Sequence, residues 1–236
     1  MFNWTENQFG RGSNEAASCL LAFFNLPAEK HLVALSDSCA GQNKNTTILG
    51  LWQYLIYKGR YKTIDDKYSE VGHSWLNLDR DFGLVESGLR KRETILMADE
   101  YWDAIRATQR KNPFIVKDIT HAMVDARRIR QALNLVKRDK NESAEEVRFR
   151  DILWIRVIEF GQYDYRYSFD NNEQWKTVNR LRSRGSMADG ANILDGLGTT
   201  PSNTVKKAKY DDSQKQVPYC SATETRTFFS RLQHSD

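Results

Sequence analysis

The chain has 236 residues, 40% hydrophobic and 28% charged, enough for one sizeable globular domain or two small ones. No apolar run approaches the roughly 20 residues needed to cross a bilayer, and no basic stretch precedes the first apolar segment, so neither a membrane span nor a secretory leader is expected. The net charge of +4, from 35 basic against 31 acidic residues, permits a polyanionic partner without demanding one.

Residues 13–24, "SNEAASCLLAFF", read as a short helix with Ser13 or Asn14 as its cap, stopped by Pro27. "HLVALSD" (31–37) is a brief, nearly continuous apolar run, as in a strand buried on both faces. "NTTILGLWQYLIYKG" (45–59) predicts a helix with Asn45 as cap, Gly59 as stop, and Ile48, Leu51, Trp52, Leu55 and Ile56 on its buried face. "YSEVGHSW" (68–75) reads as the next strand, and residues 79–96 as a further helix, acidic at its start and basic at Arg90, Lys91 and Arg92. Strand, helix and strand in this order normally form a right-handed parallel crossover, so the expected class is α/β.

Further along, "ADEYWDAIRATQR" (98–110) and "MVDARRIRQALNLVKR" (123–138) predict helices around a short strand or turn, "PFIVKDIT". "ILWIRVIEF" and "YDYRYSFD" alternate apolar with polar residues, as a pair of strands does. Residues 183–205, rich in Gly, Ser, Asn and Asp, read as a linker, and the tail as two short helices split by Pro218. This gives a core over 1–95, its continuation over 96–182, a linker over 183–205 and a helical tail over 206–236. Cys19, Cys39 and Cys220 are odd in number and widely spaced, which suits reduced thiols in the nucleus or cytoplasm.

Open α/β sheets place their chemistry at the carboxyl ends of strands. Asp37 stands at such an end, in "SDSCAGQNKN". "GHSWLNLD" would bring Asp79 to the start of the following helix, with Asp81 beside it and Glu86 two turns on. Adjacent strands lie about 5 Å apart, so carboxylates leaving their ends could share a hard divalent cation. Each residue also has a plainer role. Asp37 could close an Asx-turn, Asp79 could cap its helix, Glu86 could be solvated, and His73 could be structural. Gly41 would permit a tight turn, while Gln42, Asn43 and Lys44 would contact phosphates or satisfy their own loop. Cys39 reads as a small packing residue, since no His–Asn or His–Asp arrangement supports a nucleophile. Asp65, Asp66 and Glu6 are further acids that the sequence gives no reason to place near Asp37.

"RGSNEAASCLL", "SDSCAGQNKN", "VGHSWLNLDRDFG" and the closing "KKAKYDDSQKQVPYCSATETRTFFSRL" occur in one order. Together they resemble a family of transposon-derived domains that carry D-x-C-x-G-Q-N-[KR]-N, then G-H-[ST] and an aspartate. The resemblance implies an incomplete ribonuclease-H-like core of the DDE-transposase type, its parallel strands flanked by helices, followed by a helical region and a small β-hairpin. It also implies Mg2+ or Mn2+ at Asp37 and Asp79, with Glu86 as the rival of Asp79. Gly41, Gln42, Asn43, Lys44 and His73 would be motif residues around the pocket. The family's first aspartate is expected upstream of the segment matching "FNWTENQFGRGSNE", where this chain starts. The leading strands and that acid are therefore expected to be missing, and the chain to be inactive.

Three functions compete. The first is a DDE-type nuclease or strand-transfer domain acting on DNA. The second is a non-catalytic module binding nucleic acid or protein through Arg127, Arg128, Arg130, Lys137 and Arg138. The third, a small-molecule enzyme, ranks last because no G-x-G-x-x-G, Walker or G-x-S-x-G motif is present. The oligomeric state is not encoded in any pattern of the chain.

Overall fold

A computed structural model of the chain describes residues 1–24, 30–70, 77–108, 111–182, 193, 196–200, 203–220 and 222–235, the side chains of 77 and 78 excepted. The elements in chain order are β1 (Phe2–Asn3), α1 (Ser13–Phe23), β2 (His31–Ser36), α2 (Thr46–Tyr57), β3 (Thr63–Tyr68), α3 (Asn77–Leu89), α4 (Ala98–Ala107), β4 (Lys117–Asp118), α5 (Ile129–Ala132), β5 (Trp154–Val157), β6 (Gln162–Arg166), β7 (Lys176–Asn179), β8 (Val205–Lys206), α6 (Lys207–Gln216), α7 (Thr223–Ser230) and β9 (His234–Ser235). The class is α/β. Two compact units result: Arg11–Ser74 with Ala122–Thr199, and Met1–Gly10 with Trp75–His121 and Thr200–Asp236.

The first unit holds a five-stranded sheet in the order β2-β3-β5-β6-β7. β2 and β3 run parallel, joined by α2 as the crossover, and the remaining pairs are antiparallel. The alternation of side chains along each strand assigns its two faces. Ile64, Tyr68, Ile155, Tyr163, Tyr165 and Val178 point to one face and join α1 and α2 in a single core. The other face carries Val33, Leu35, Asp65, Lys67, Trp154, Arg156 and Arg166.

The helices follow local rules. Asn45 Oδ1 accepts from the backbone N–H of Thr47 and Ile48, which satisfies two of the orphan donors at the start of α2. Gly59, at φ +64°, ends α2 in the left-handed region where glycine is favoured. In α1 the cap is Gly12 rather than Ser13 or Asn14, because Glu15 reaches back to accept from the Gly12 N–H at 2.8 Å.

Four expectations are corrected. β2 is the terminal strand of the sheet, with Val33 and Leu35 exposed, so an apolar run here marks an edge rather than a doubly covered strand. The strand parallel to it is "TIDDKY" (63–68), not the stretch beginning at Tyr68. Two adjacent aspartates argue against a strand by propensity, and their buried partners override it. "MVDARRIRQALNLVKR" is a 3-10 turn at Ala126–Arg128, the four-residue α5, and a reversal at Asn134, whose φ is +56°. Finally, β5 and β6 form the expected pair, but β7 extends it to three strands.

Of the segment 183–205, Ile193 and Leu197 are buried in the core of the first unit, and the Leu197 carbonyl accepts from Arg128 Nη1. In the second unit β1 pairs parallel with β4, β8 pairs parallel with β9, and α3 packs against α4. Gly88 is needed at that last contact, since a Cβ there would come within 2.8 Å of Thr108 Oγ1. No helix of the described residues is long and apolar enough to cross a membrane.

Gln53, fully buried on α2, accepts from the Gly161 N–H at 2.7 Å and donates to the Gln162 carbonyl at 2.6 Å. It thereby fixes the helix layer to the β5–β6 turn. Gln53→Leu strands both backbone groups and is expected to cost about 2–4 kcal/mol, read as a lowered urea midpoint at unchanged slope.

Candidate functional site

The loop from Asp37 to Asn45 links β2 to α2, and its own side chains build it. The Cys39 carbonyl accepts from three successive N–H groups, those of Gln42, Asn43 and Lys44, at 3.2, 2.8 and 3.0 Å. Asn45 donates to the carbonyls of Ala40 and Gln42, and Gln42 donates to the Arg11 carbonyl. Ser38 ties the loop to the chain just after β3 through the Ser69 carbonyl at 2.7 Å. Amide side chains do this work because they donate and accept at once.

Asp37 Oδ1 accepts from the Cys39 N–H at 3.1 Å and from Asn43 Nδ2 at 2.7 Å. The first of these is the Asx-turn contact. Oδ2 has no partner among the described residues, so one oxygen holds the loop and the other is open. That is a suitable donor for a hard cation, although a single carboxylate is only part of a ligand set. Gly41 is exposed, has no positive φ, and a Cβ there would meet nothing within 4 Å, so the turn does not require a glycine.

Lys44 is buried at 5% exposure. Its Nζ donates to the Arg150 carbonyl and lies 5.0 Å from the centre of the Tyr68 ring. Burial pulls its pKa down, while Asp151 and Asp66 oppose that. Lys44 therefore fastens the loop from inside rather than reaching into solvent.

The second-unit candidates are placed as follows. Asp79 is exposed in the first turn of α3, inside the helix rather than at its cap. Glu86 is exposed and accepts from Arg90 Nη2 at 2.7 Å, an i,i+4 pair. Asp81 faces Arg80 at 4.0 Å. His73 lies outside the described residues. Among the described residues no three His, Cys, Asp or Glu side chains stand together as a metal cluster.

The basic residues around α5 are not one stripe. Arg127 pairs with Asp125, Arg128 reaches the Leu197 carbonyl, Lys137 pairs with Asp139, and Arg138 reaches the Leu181 carbonyl. These four side chains reach four different acceptors, two of them more than 40 residues away in the chain.

Two acids are buried side by side in the sheet, Asp65 and Asp66, each 2% exposed and on opposite faces of β3. Asp66 Oδ2 accepts from Trp52 Nε1 and the Tyr68 hydroxyl, both at 2.7 Å. Burial outweighs these bonds and Lys44, and pushes the carboxyl up to about 6. Burial also acts on Asp65, but hydrogen bonds from Arg156, Trp154 and His31 outweigh it and hold this carboxyl below its ordinary range. Two adjacent acids inside a short β-like run, with Ile64 before and Tyr68 after, were the available signal in the sequence.

The fold is thus an α/β unit in which a parallel strand pair presents one half-free carboxylate at its carboxyl end. The family is given by the match of residues 1–150 to the model described as "Domain of unknown function (DUF7869)", and the chain belongs to that family. No curated protein and no solved structure matches it.

Two measurements probe this region. Asn45→Ala removes the α2 cap and the two loop contacts, and is expected to cost about 1–2 kcal/mol by chemical denaturation. The raised carboxyl of Asp66 means that the folded state binds its proton more tightly than the unfolded chain does. Its stabilising effect is complete below pH 4 and is lost as pH rises to about 6. The expected loss across that window is about 2–3 kcal/mol, and Asp66→Asn should flatten it in parallel denaturation curves. The depressed Asp65 acts in the opposite sense, and below pH 4.

Proposed function

We propose that the chain is a transposase-derived domain of the DDE type, ribonuclease-H-like in descent, that engages DNA phosphodiesters. The observation that carries this reading is the placement of Asp37. It leaves the carboxyl end of β2 beside the parallel β3, with Oδ1 fixed by its loop and Oδ2 open. The motif "SDSCAGQNKN" followed by "GHS" and Asp79 supports the same descent. Asp37 would be a ligand of Mg2+ or Mn2+, and the motif alone names Asp79, with Glu86 as its rival, as the family's further acid. When bound, such an ion stabilises charge on the attacking and leaving oxygens of a phosphodiester. Charge count sets affinity for hard cations, and among the described residues no group of three His, Cys, Asp or Glu stands here to complete a ligand set. On this reading the chain binds DNA and leaves it uncut.

A second reading, a non-catalytic nucleic-acid-binding module, draws on the open face of the sheet. Trp154 and Trp175 meet edge to face at 5.0 Å. Arg166 lies 4.3 Å and Arg156 4.5 Å from the centre of the Trp175 ring, and Lys67 lies 3.9 Å from that of Trp154. Aromatic rings interleaved with cations are the surface on which single-stranded nucleic acids stack.

Both readings meet one assay. Fluorescence anisotropy with labelled duplex and single-stranded DNA should show binding that weakens steeply as salt rises. Absence of binding at low salt removes both. A preference for single strands that Trp175→Ala abolishes selects the module. Mg2+-dependent nicking of supercoiled DNA, lost in Asp37→Asn, would show that the chain cuts after all.

A further inference from the structure

We infer that the first unit contains a binding cleft for a phosphate monoester, floored by Arg180 and distinct from the open oxygen of Asp37. The cleft holds about 310 Å³ and lies between the start of α2, residues 137–139, residues 147–150 and the chain just after β7. That volume suits a phosphate bearing a small organic group. This inference stands whether or not the domain acts on DNA.

The principal observation is the state of Arg180. It is 2% exposed. Its N–H donates to the Gly161 carbonyl, its carbonyl accepts from Val136, and Nε donates to the Val136 carbonyl at 3.1 Å. The side chain is therefore fixed at its root. Yet Nη1 and Nη2, both buried, have no hydrogen-bond partner among the described residues. A buried guanidinium without a carboxylate is costly, and its two terminal nitrogens form the fork that receives two oxygens of one anion. Water could satisfy the donors but not the charge.

The surroundings select the ligand. Lys137, Arg138, Arg150 and Arg180 line the cleft together with Lys44, whose ammonium is held by the Arg150 carbonyl and answered by Asp151 and Asp66; the one acid in the lining is Asp139, which Lys137 already meets at 3.3 Å. Asn45 and Thr46 bring the start of the twelve-residue α2 to the same wall, adding the positive end of its dipole. An excess of positive charge on this scale favours a dianion over a carboxylate. The electrostatics of Arg180 agree. Burial lowers its pKa to about 10, Tyr163 opposes this and Arg130 adds to it, and the group stays charged at neutral pH.

The test is isothermal titration of the full chain with inorganic phosphate, adenosine 5′-monophosphate and adenosine. Saturable binding of the first two and none of adenosine is expected. Arg180→Lys, which keeps the charge and loses the fork, should weaken binding about tenfold or more. Arg138→Gln, at an exposed position on the rim, should weaken it several-fold and covers the case in which the buried substitution fails to fold. A 5′-phosphorylated dodecamer binding more tightly than its 5′-hydroxyl twin would make a DNA end the source of the phosphate. Equal affinity for the two would make it a free ester. No saturable phosphate binding, or unchanged affinity in a folded Arg180→Lys or in Arg138→Gln, overturns the inference.

Discussion

Asp65 and Asp66 hold the first unit together from the two sides of one strand. Through Asp66, β3 grips Trp52 and so positions α2; through Asp65, it grips Arg156, Trp154 and His31 and so fixes β5 and β2 as its neighbours. The helix layer, the parallel pair and the antiparallel extension thus meet at adjacent residues. Each carboxylate is buried, but only Asp65 faces a guanidinium. That difference is why one is easily ionised and the other resists ionisation.

This arrangement sets what the loop after β2 can do. With β2 and α2 fixed by β3, nine residues must turn the chain, and they do so with amide side chains and the Cys39 carbonyl. The plain role of Asp37 and its chemical role then coexist, because one oxygen makes the turn while the other stays open. Lys44 shows the contrary outcome. Its ammonium is committed to the Arg150 carbonyl beside Tyr68, and among the described residues it is Arg180, far along the chain, whose two terminal nitrogens are buried without a partner.

The sequence was legible where short-range physics decides. Asn45 and Gly59 bound α2 as their chemistry requires, α1 falls on its apolar spacing, and the alternation in 152–166 gives β5 and β6. It was illegible where partners arrive from afar. "TIDDKY" forms a strand because Trp52 and Arg156, from other elements, join its own Tyr68 in satisfying its acids, and the contacts from Trp52 and Arg156 have no local signature. The run from Met123 to Arg138 kept helical spacing but broke at Asn134, where the chain turns so that Val136 can bond to Arg180. Arg180 itself carries no motif. Its meaning comes from Gly161, Val136 and α2, which only the fold assembles.

The place of β2 at the rim of the sheet has a practical consequence. Among the described residues no strand pairs with the outer side of "HLVALS", which leaves a row of backbone donors and acceptors beside the exposed side chains of Val33 and Leu35, with no proline or charged residue from Leu32 to Ser36 to blunt it. A second polypeptide in extended form could continue the ladder there at little cost, so purified material should self-associate as its concentration rises, and a lysine in place of Leu35 would be the simplest way to keep it dispersed.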